Sequence, residues 1–221
     1  MKYIDFHKQF RQNILIDVRE VKNIFPDFDN RRFYEWQKQG YIKNISRRFY
    51  IFSDMVLCDA DKYFIANRLS EPSYISLEYA LGYYSLIPET VHQVTSITTR
   101  KAKIVDTPLG TFPYRSIKES LFFGYEIMKS GNVSFKMAEP EKAMLDFLFF
   151  RSDIKNNNDI DELRINWDIY REKIDKTKME KYLTVYNSKV LYQKFIKINK
   201  KSGSSTNFVG ISHSNRPKIN N

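Results

Sequence analysis

Between Asp29 and Ser53 the periodicity of the chain changes once, and that change limits what this end of the molecule can become. In Asp29-Asn30-Arg31-Arg32-Phe33-Tyr34-Glu35-Trp36-Gln37-Lys38-Gln39-Gly40, Phe33 and Trp36 fall on one face of a helix while Arg31, Arg32, Glu35 and Lys38 point elsewhere. Gly40 suits the left-handed position that stops such a helix. Tyr41 to Ile45 and Phe49 to Phe52 are then rich in aromatic and β-branched residues and flank the basic tip Ser46-Arg47-Arg48. A short basic helix followed by two strands around a basic tip is the one-dimensional form of a winged helix-turn-helix. In that arrangement Arg31, Arg32, Tyr34 and Lys38 are candidates to touch phosphates and base edges of double-stranded DNA, since the arginine fork matches guanine. Lys43, Arg47 and Arg48 are candidates for the adjoining backbone or minor groove, with phosphate the commoner partner. The aromatic set Phe33, Trp36, Tyr41, Phe49 and Tyr50 has a spacing that suits a small core better than stacking on unpaired bases.

Upstream of this stretch, Tyr3, Ile4, Phe6 and Phe10 fit one stripe of a first helix. Asp17 is placed to cap a second, with Val18, Val21 and Phe25 on its inner side, and Pro26 ends it. Asp29 or Asn30 caps the third. Three helices and a two-stranded wing are therefore expected over residues 1–54.

The remainder reads as a second unit over 55–198, of mixed helices and antiparallel strands, so the whole is α+β. A helix is expected near Asp61 to Leu69 and another over Ser73 to Leu86, with Leu77, Ala80, Leu81 and Tyr84 on one face. Val91 to Thr99 has strand composition. Ile104–Thr107 and Thr111–Arg115 bracket Pro108-Leu109-Gly110 as a hairpin, with Pro113 suggesting an edge or a bulge. A second hairpin is expected from Gly124–Met128 and Val133–Ala138. Pro140 suits the first turn of a helix that is apolar nearly all round through Phe150, hence buried. Further helices carry the stripes Met179, Tyr182, Leu183, Tyr186 and Leu191, Phe195, Ile198. Residues 199–221 are polar and turn-rich and are expected to be a weakly ordered tail.

A formal net charge of +10 over 221 residues, with pI near 9.4, favours a polyanionic partner. Abundant Lys and Asn along the whole chain is the compositional alternative. Cys58 is the single cysteine, so neither a disulfide framework nor a thiolate metal cage is expected, and a reducing cytoplasm fits. The N-terminus lacks the apolar run of a signal peptide, and no stretch of eighteen apolar residues occurs, so a cytoplasmic protein without a membrane partner is expected.

Candidate chemistry is sparse. Asp159-Ile160-Asp161 has the D-x-D form that holds divalent metal in nucleotidyltransferases, but the only Gly-Ser, Gly203-Ser204, lies downstream instead of upstream, so a loop or helix-cap role is expected. Glu139, Glu141, Lys142 and Asp146 invite a nuclease reading. The acid-x-lysine element is missing, because Pro140 stands two before Lys142, and Lys142 and Asp146 are spaced to pair on a helix. His7, His92, His213 and Cys58 have no ligand spacing, and there is no phosphate-binding glycine loop or nucleophile elbow. No catalytic residue, metal or cofactor is expected.

Beyond the wing, Ile65-Ala66-Asn67-Arg68-Leu69-Ser70-Glu71-Pro72-Ser73-Tyr74-Ile75-Ser76-Leu77-Glu78-Tyr79-Ala80-Leu81, then Leu86-Ile87-Pro88-Glu89, resembles the AbiEi family of antitoxins. So do Val94 to Thr99, Gly110-Thr111-Phe112, Phe122-Phe123-Gly124-Tyr125 and Ala138 to Asp146, in the family's order and spacing, to about residue 198. The resemblance implies a two-gene toxin–antitoxin module with a nucleotidyltransferase-like toxin encoded alongside. It implies that the winged domain binds inverted repeats in the module's own promoter, while the C-terminal domain supplies protection. Wings of that family often carry a glycine near the tip, where this chain has Ser46-Arg47-Arg48. Two other classes compete with this reading: a nucleic-acid-processing enzyme with a basic targeting domain, and a ligand-responsive regulator without a toxin.

Overall fold

The structure, a computed structural model, describes residues 1–88 and 92–203. It opens with α1 (Tyr3–Phe10), β1 (Ile16–Asp17), α2 (Val18–Ile24), α3 (Arg31–Lys38), β2 (Ile42–Ser46) and β3 (Phe49–Phe52). Asp17 caps α2 by accepting the Arg19 amide at 3.0 Å. Asn30 stands at the start of α3, but Asp29 performs the capping, accepting the Arg31 amide at 3.0 Å. Gly40, at φ +77°, turns the chain out of α3, in a region that costs glycine nothing. The strands form a three-stranded antiparallel sheet in the order β1-β3-β2. The first strand is an addition to the two expected, and it is too short to carry a periodic signal. Phe6, Phe10, Phe28, Phe33 and Trp36 close a small core between the helices and the sheet, with Tyr50 stacked on Phe33 at 4.7 Å. Ile4, expected on the inner stripe of α1, is 55% exposed; Phe6 and Phe10 already fill the contact.

Ser46 pairs with Phe49, so the tip is the two-residue turn Arg47-Arg48, and Arg47 takes φ +29°. The arginine occupies the positive-φ position that glycine adopts without steric cost.

The second unit contains α4 (Asp59–Leu69), β4 (Ser73–Ile75), α5 (Leu77–Tyr83), β5 (Ser96–Thr98), β6 (Lys103–Thr107), β7 (Gly110–Ser116), a 3₁₀ turn (Glu119–Leu121), β8 (Tyr125–Ser130) and β9 (Val133–Ala138). Then follow α6 (Pro140–Phe150), α7 (Asn157–Asp161), α8 (Trp167–Lys173), α9 (Lys176–Tyr186) and α10 (Lys189–Lys201). Six strands pair in the order β6-β7-β5-β4-β9-β8. This sheet is mixed, not antiparallel throughout: β5 runs parallel to β7, and β4 parallel to β9.

Several local expectations need correction. Ser73–Ile75 is a strand, not the start of a helix. It lies inside the sheet with all three residues buried, and a short fully buried strand has no alternation to distinguish it from a helix. Pro113 is not on an edge strand, since β7 lies between β6 and β5; the β5 ladder begins at Tyr114, so the proline faces only β6. The Val91–Thr99 strand shortens to Ser96–Thr98, and Val91 lies outside the described residues. Residue 199 does not begin a tail: α10 continues to Lys201 with Asn199 buried, while residues 204–221 lie outside the described set.

The apolar helix α6 is buried, as its composition requires, and it brings charge inside with it. The Lys142 and Asp146 side chains have no exposure and meet at 2.5 Å. The Asp146 carboxylate also accepts from Tyr186 at 2.5 Å, Tyr74 at 3.0 Å and Ser76 at 2.8 Å. Burial and then the Asp146 charge push the Tyr74 and Tyr186 phenols far up, so both remain donors. Burial pulls Lys142 down against the opposing effect of Asp146. Gly124 (φ +69°) passes so close that an added Cβ would lie 3.1 Å from the Lys142 Cβ. Removing one member strands a buried charge, whereas removing both does not. Lys142→Met should therefore cost about 3–5 kcal/mol. Lys142→Met/Asp146→Asn should cost clearly less than the sum of the single changes. Urea unfolding of the four proteins as a double-mutant cycle checks this, and additive losses would refute the coupling.

Candidate nucleic-acid interface

Arg31, Arg32, Tyr34 and Lys38 all lie on the outer surface of α3 because Phe33 and Trp36 fill the inner one. Arg31 is bound by Asp29 at 2.9 Å and Arg32 by Glu35 at 2.8 Å, both in exposed pairs. Such pairs contribute little in water and can be exchanged for phosphate. Tyr34 is 73% exposed, unusual for an aromatic side chain on a small domain. Lys38 is exposed in the last turn.

Lys43 and Arg47 are exposed on β2 and at the tip. Arg48 is different. Its guanidinium Nε donates to both carboxylate oxygens of Asp17, at 3.0 and 3.1 Å, and lies 4.4 Å over the Phe49 ring. Of the seven residues singled out from sequence, it is the one fixed into the fold. The two sets also line different clefts: Arg32 faces one with Phe25 and Pro26, Arg47 and Arg48 another.

That second cleft, of about 360 Å³, brings together cations that are far apart in the chain: Arg19, Arg47, Arg48, Arg68, Arg100 and Lys103. Four of them, Arg19, Arg68, Arg100 and Lys103, escaped sequence reasoning, because they lie on elements far apart in the chain that only the fold brings together. Asp17 anchors the arrangement from below. It binds Arg19 at 3.1 Å and lies 3.7 Å from Arg68 as well as holding Arg48. Burial alone would raise this carboxyl, but the hydrogen bonds from Arg19 and Arg48 outweigh it and hold it below the ordinary aspartate range.

The acidic residues weighed for catalysis all have structural partners. Asp159 accepts the Asn156 amide at 2.8 Å as part of a capping box opening α7, and Asp161 pairs with Lys201. Glu139 binds Lys178 at 2.7 Å and accepts from Tyr182, while Glu141 accepts the Asp175 amide at 2.8 Å ahead of α9. Among the described residues no helix is long and apolar enough to cross a membrane. No protein-family model matches the sequence, and no characterised protein matches it.

The Asp17 geometry has a pH signature. Its folded value is depressed, so its stabilisation is full above the ordinary carboxylate range and is lost as pH falls through the folded value. Asp17→Asn should lower stability by about 1–3 kcal/mol at neutral pH, the scale of hydrogen bonds to a charged group. The gap to wild type should begin to narrow below about pH 5, as the unfolded-state carboxyl protonates while the native one stays ionised, and should go on narrowing until the pH passes the depressed native value. Chemical denaturation across that range measures it. A gap independent of pH would mean that packing, not charge, sets the effect.

Proposed function

We propose that the protein is a cytoplasmic DNA-binding repressor and antitoxin of the AbiEi type. In this reading residues 1–54 are a winged helix-turn-helix with α3 as recognition helix and Arg47-Arg48 as the tip of the wing. The observation that carries the DNA reading is the division of α3: its aromatic residues are spent on the core, and Arg31, Arg32, Tyr34 and Lys38 stand together on the outer face. A helix inserted into the major groove needs that surface, with forked donors for base edges and phosphates. The three-helix arrangement backed by a three-stranded antiparallel sheet with a basic turn is consistent with it.

The antitoxin part rests on the motif residues from Ile65 to Asp146, whose apolar members pack together in the core of the second unit. Its partner in function would be the nucleotidyltransferase-like toxin of the same module, whose gene should lie next door. The DNA partner would be the inverted repeats of the module's own promoter.

Binding to that promoter should depend on salt. With about five phosphates neutralised, log affinity should fall against log salt with a slope of roughly −4 to −5. Arg31→Ala and Arg32→Ala should weaken specific binding more than binding to unrelated duplex, whereas Arg47→Ala should weaken both alike. Fluorescence anisotropy over a salt series with both duplexes reads all three. Affinity insensitive to salt, or to the α3 changes, would remove the DNA reading.

A further inference from the structure

The arginine-lined cleft between the Arg47-Arg48 turn and the second unit has properties that a solvated basic face does not. It is concave and its cations converge from α2, the turn, α4, the segment joining β5 to β6, and the start of β6. Asp17, Glu20 and Glu71 take up Arg19, Arg48 and Arg68. Among the described residues Arg47, Arg100 and Lys103 join no ion pair, so three positive charges face the cleft without a counter-charge. Arg100 spends one N–H on the Glu71 carbonyl, and Lys103 one on the Leu69 carbonyl at 3.1 Å, leaving their other donors for a ligand. Lys103 is held below the ordinary lysine range, first by burial and then by Arg47, Arg100 and Arg48, so like charges already crowd one another there. Ser70, only 3% exposed, lines the same cleft with its hydroxyl hydrogen-bonded to nothing among the described residues. A buried hydroxyl without a partner is costly, and a ligand oxygen would satisfy it.

We infer that this cleft is a binding site for the diphosphate group of a small phosphorylated ligand. Three uncompensated cations and a hydroxyl donor match the charge and the several acceptor oxygens of a diphosphate, which a single phosphate would not fill. Among the described residues Leu69 is the only apolar side chain of the lining and no aromatic ring lines it, so the site recognises phosphates and not a base. The volume is that of a small-ligand pocket. The inference shares Arg47 with the proposed DNA contacts but rests on Arg100, Lys103 and Ser70, which that reading does not use.

Isothermal titration of the full chain with inorganic pyrophosphate at about 0.15 M salt tests it. Saturable one-site binding is expected, tighter than that of orthophosphate. It should weaken at least about tenfold in Arg100→Gln/Lys103→Gln, the scale of lost charge-assisted hydrogen bonds. Lys129→Gln/Lys181→Gln, exposed lysines elsewhere on the second unit, should leave it unchanged. Circular dichroism and the thermal midpoint establish that each variant folds; if the double variant does not, Arg47→Gln and Arg100→Gln singly carry the test. Absence of saturable binding overturns the inference, as does binding unaffected by the cleft variants. So does an orthophosphate affinity equal to that of pyrophosphate. If pyrophosphate does not bind but duplex DNA loses affinity through the same double variant, the cleft serves a nucleic-acid backbone and the small-ligand site is refuted.

Discussion

The carboxylate of Asp17 is the interaction on which the basic side of the molecule depends. One buried group caps α2, receives the Arg48 guanidinium from the turn, binds Arg19 and lies beside Arg68 of α4. Burying a carboxylate is expensive unless its lone pairs are satisfied by charged donors, and here arginines from separate elements supply them. The same contacts fix the position of the turn relative to the second unit. Without this anion, Arg48 and Arg19 would lose their only carboxylate partner among the described residues, and Arg68 would keep only Glu20 and Glu71.

Packing joins the two units as firmly as charge does. Leu15, Ile45, Phe49 and Ile51 come from the first 54 residues, yet they lie in the same buried cluster as Tyr63, Ile65 and Tyr114 of the second unit. The opposite side of the small sheet, with Ile16, Ile42 and Phe52, closes the separate aromatic core. The three-stranded sheet thus buries both faces, one against its own helices and one against the neighbouring unit. That accounts for so high an aromatic and aliphatic content in a segment that carries so many arginines.

What could be read in the sequence was local. The amphipathic split of α3, the glycine after it and the flanked hairpins each depend on residues a few positions apart. The Lys142–Asp146 pair was visible as helical spacing, though its burial beneath Tyr74 and Tyr186 was not, because those tyrosines arrive from 72 and 40 residues away. The strand Ser73–Ile75 reads as helix in the sequence because its sheet neighbours, antiparallel β5 and parallel β9, are distant in the chain and leave no local mark. The outer face of α3 was legible as a cluster of types. The cleft was not, for Arg19, Arg68, Arg100 and Lys103 come from α2, α4, the segment joining β5 to β6 and the start of β6, and acquire meaning only where those elements meet the Arg47-Arg48 turn.

The structure also sorts the arginines by how freely they can change partners. Arg31 and Arg32 sit in exposed pairs with Asp29 and Glu35, and water already competes for those contacts, so a phosphate can replace the carboxylate at small cost. Arg48 is held by a buried carboxylate that cannot be left alone, so moving it toward an outside anion would strand Asp17. Arg47, beside it on the same turn, carries no such obligation and extends into solvent at the mouth of the cleft. Two adjacent arginines with the same charge therefore have different work: Arg48 holds the turn in place, and that fixed turn lets Arg47 present its charge outward with little further loss of conformational freedom.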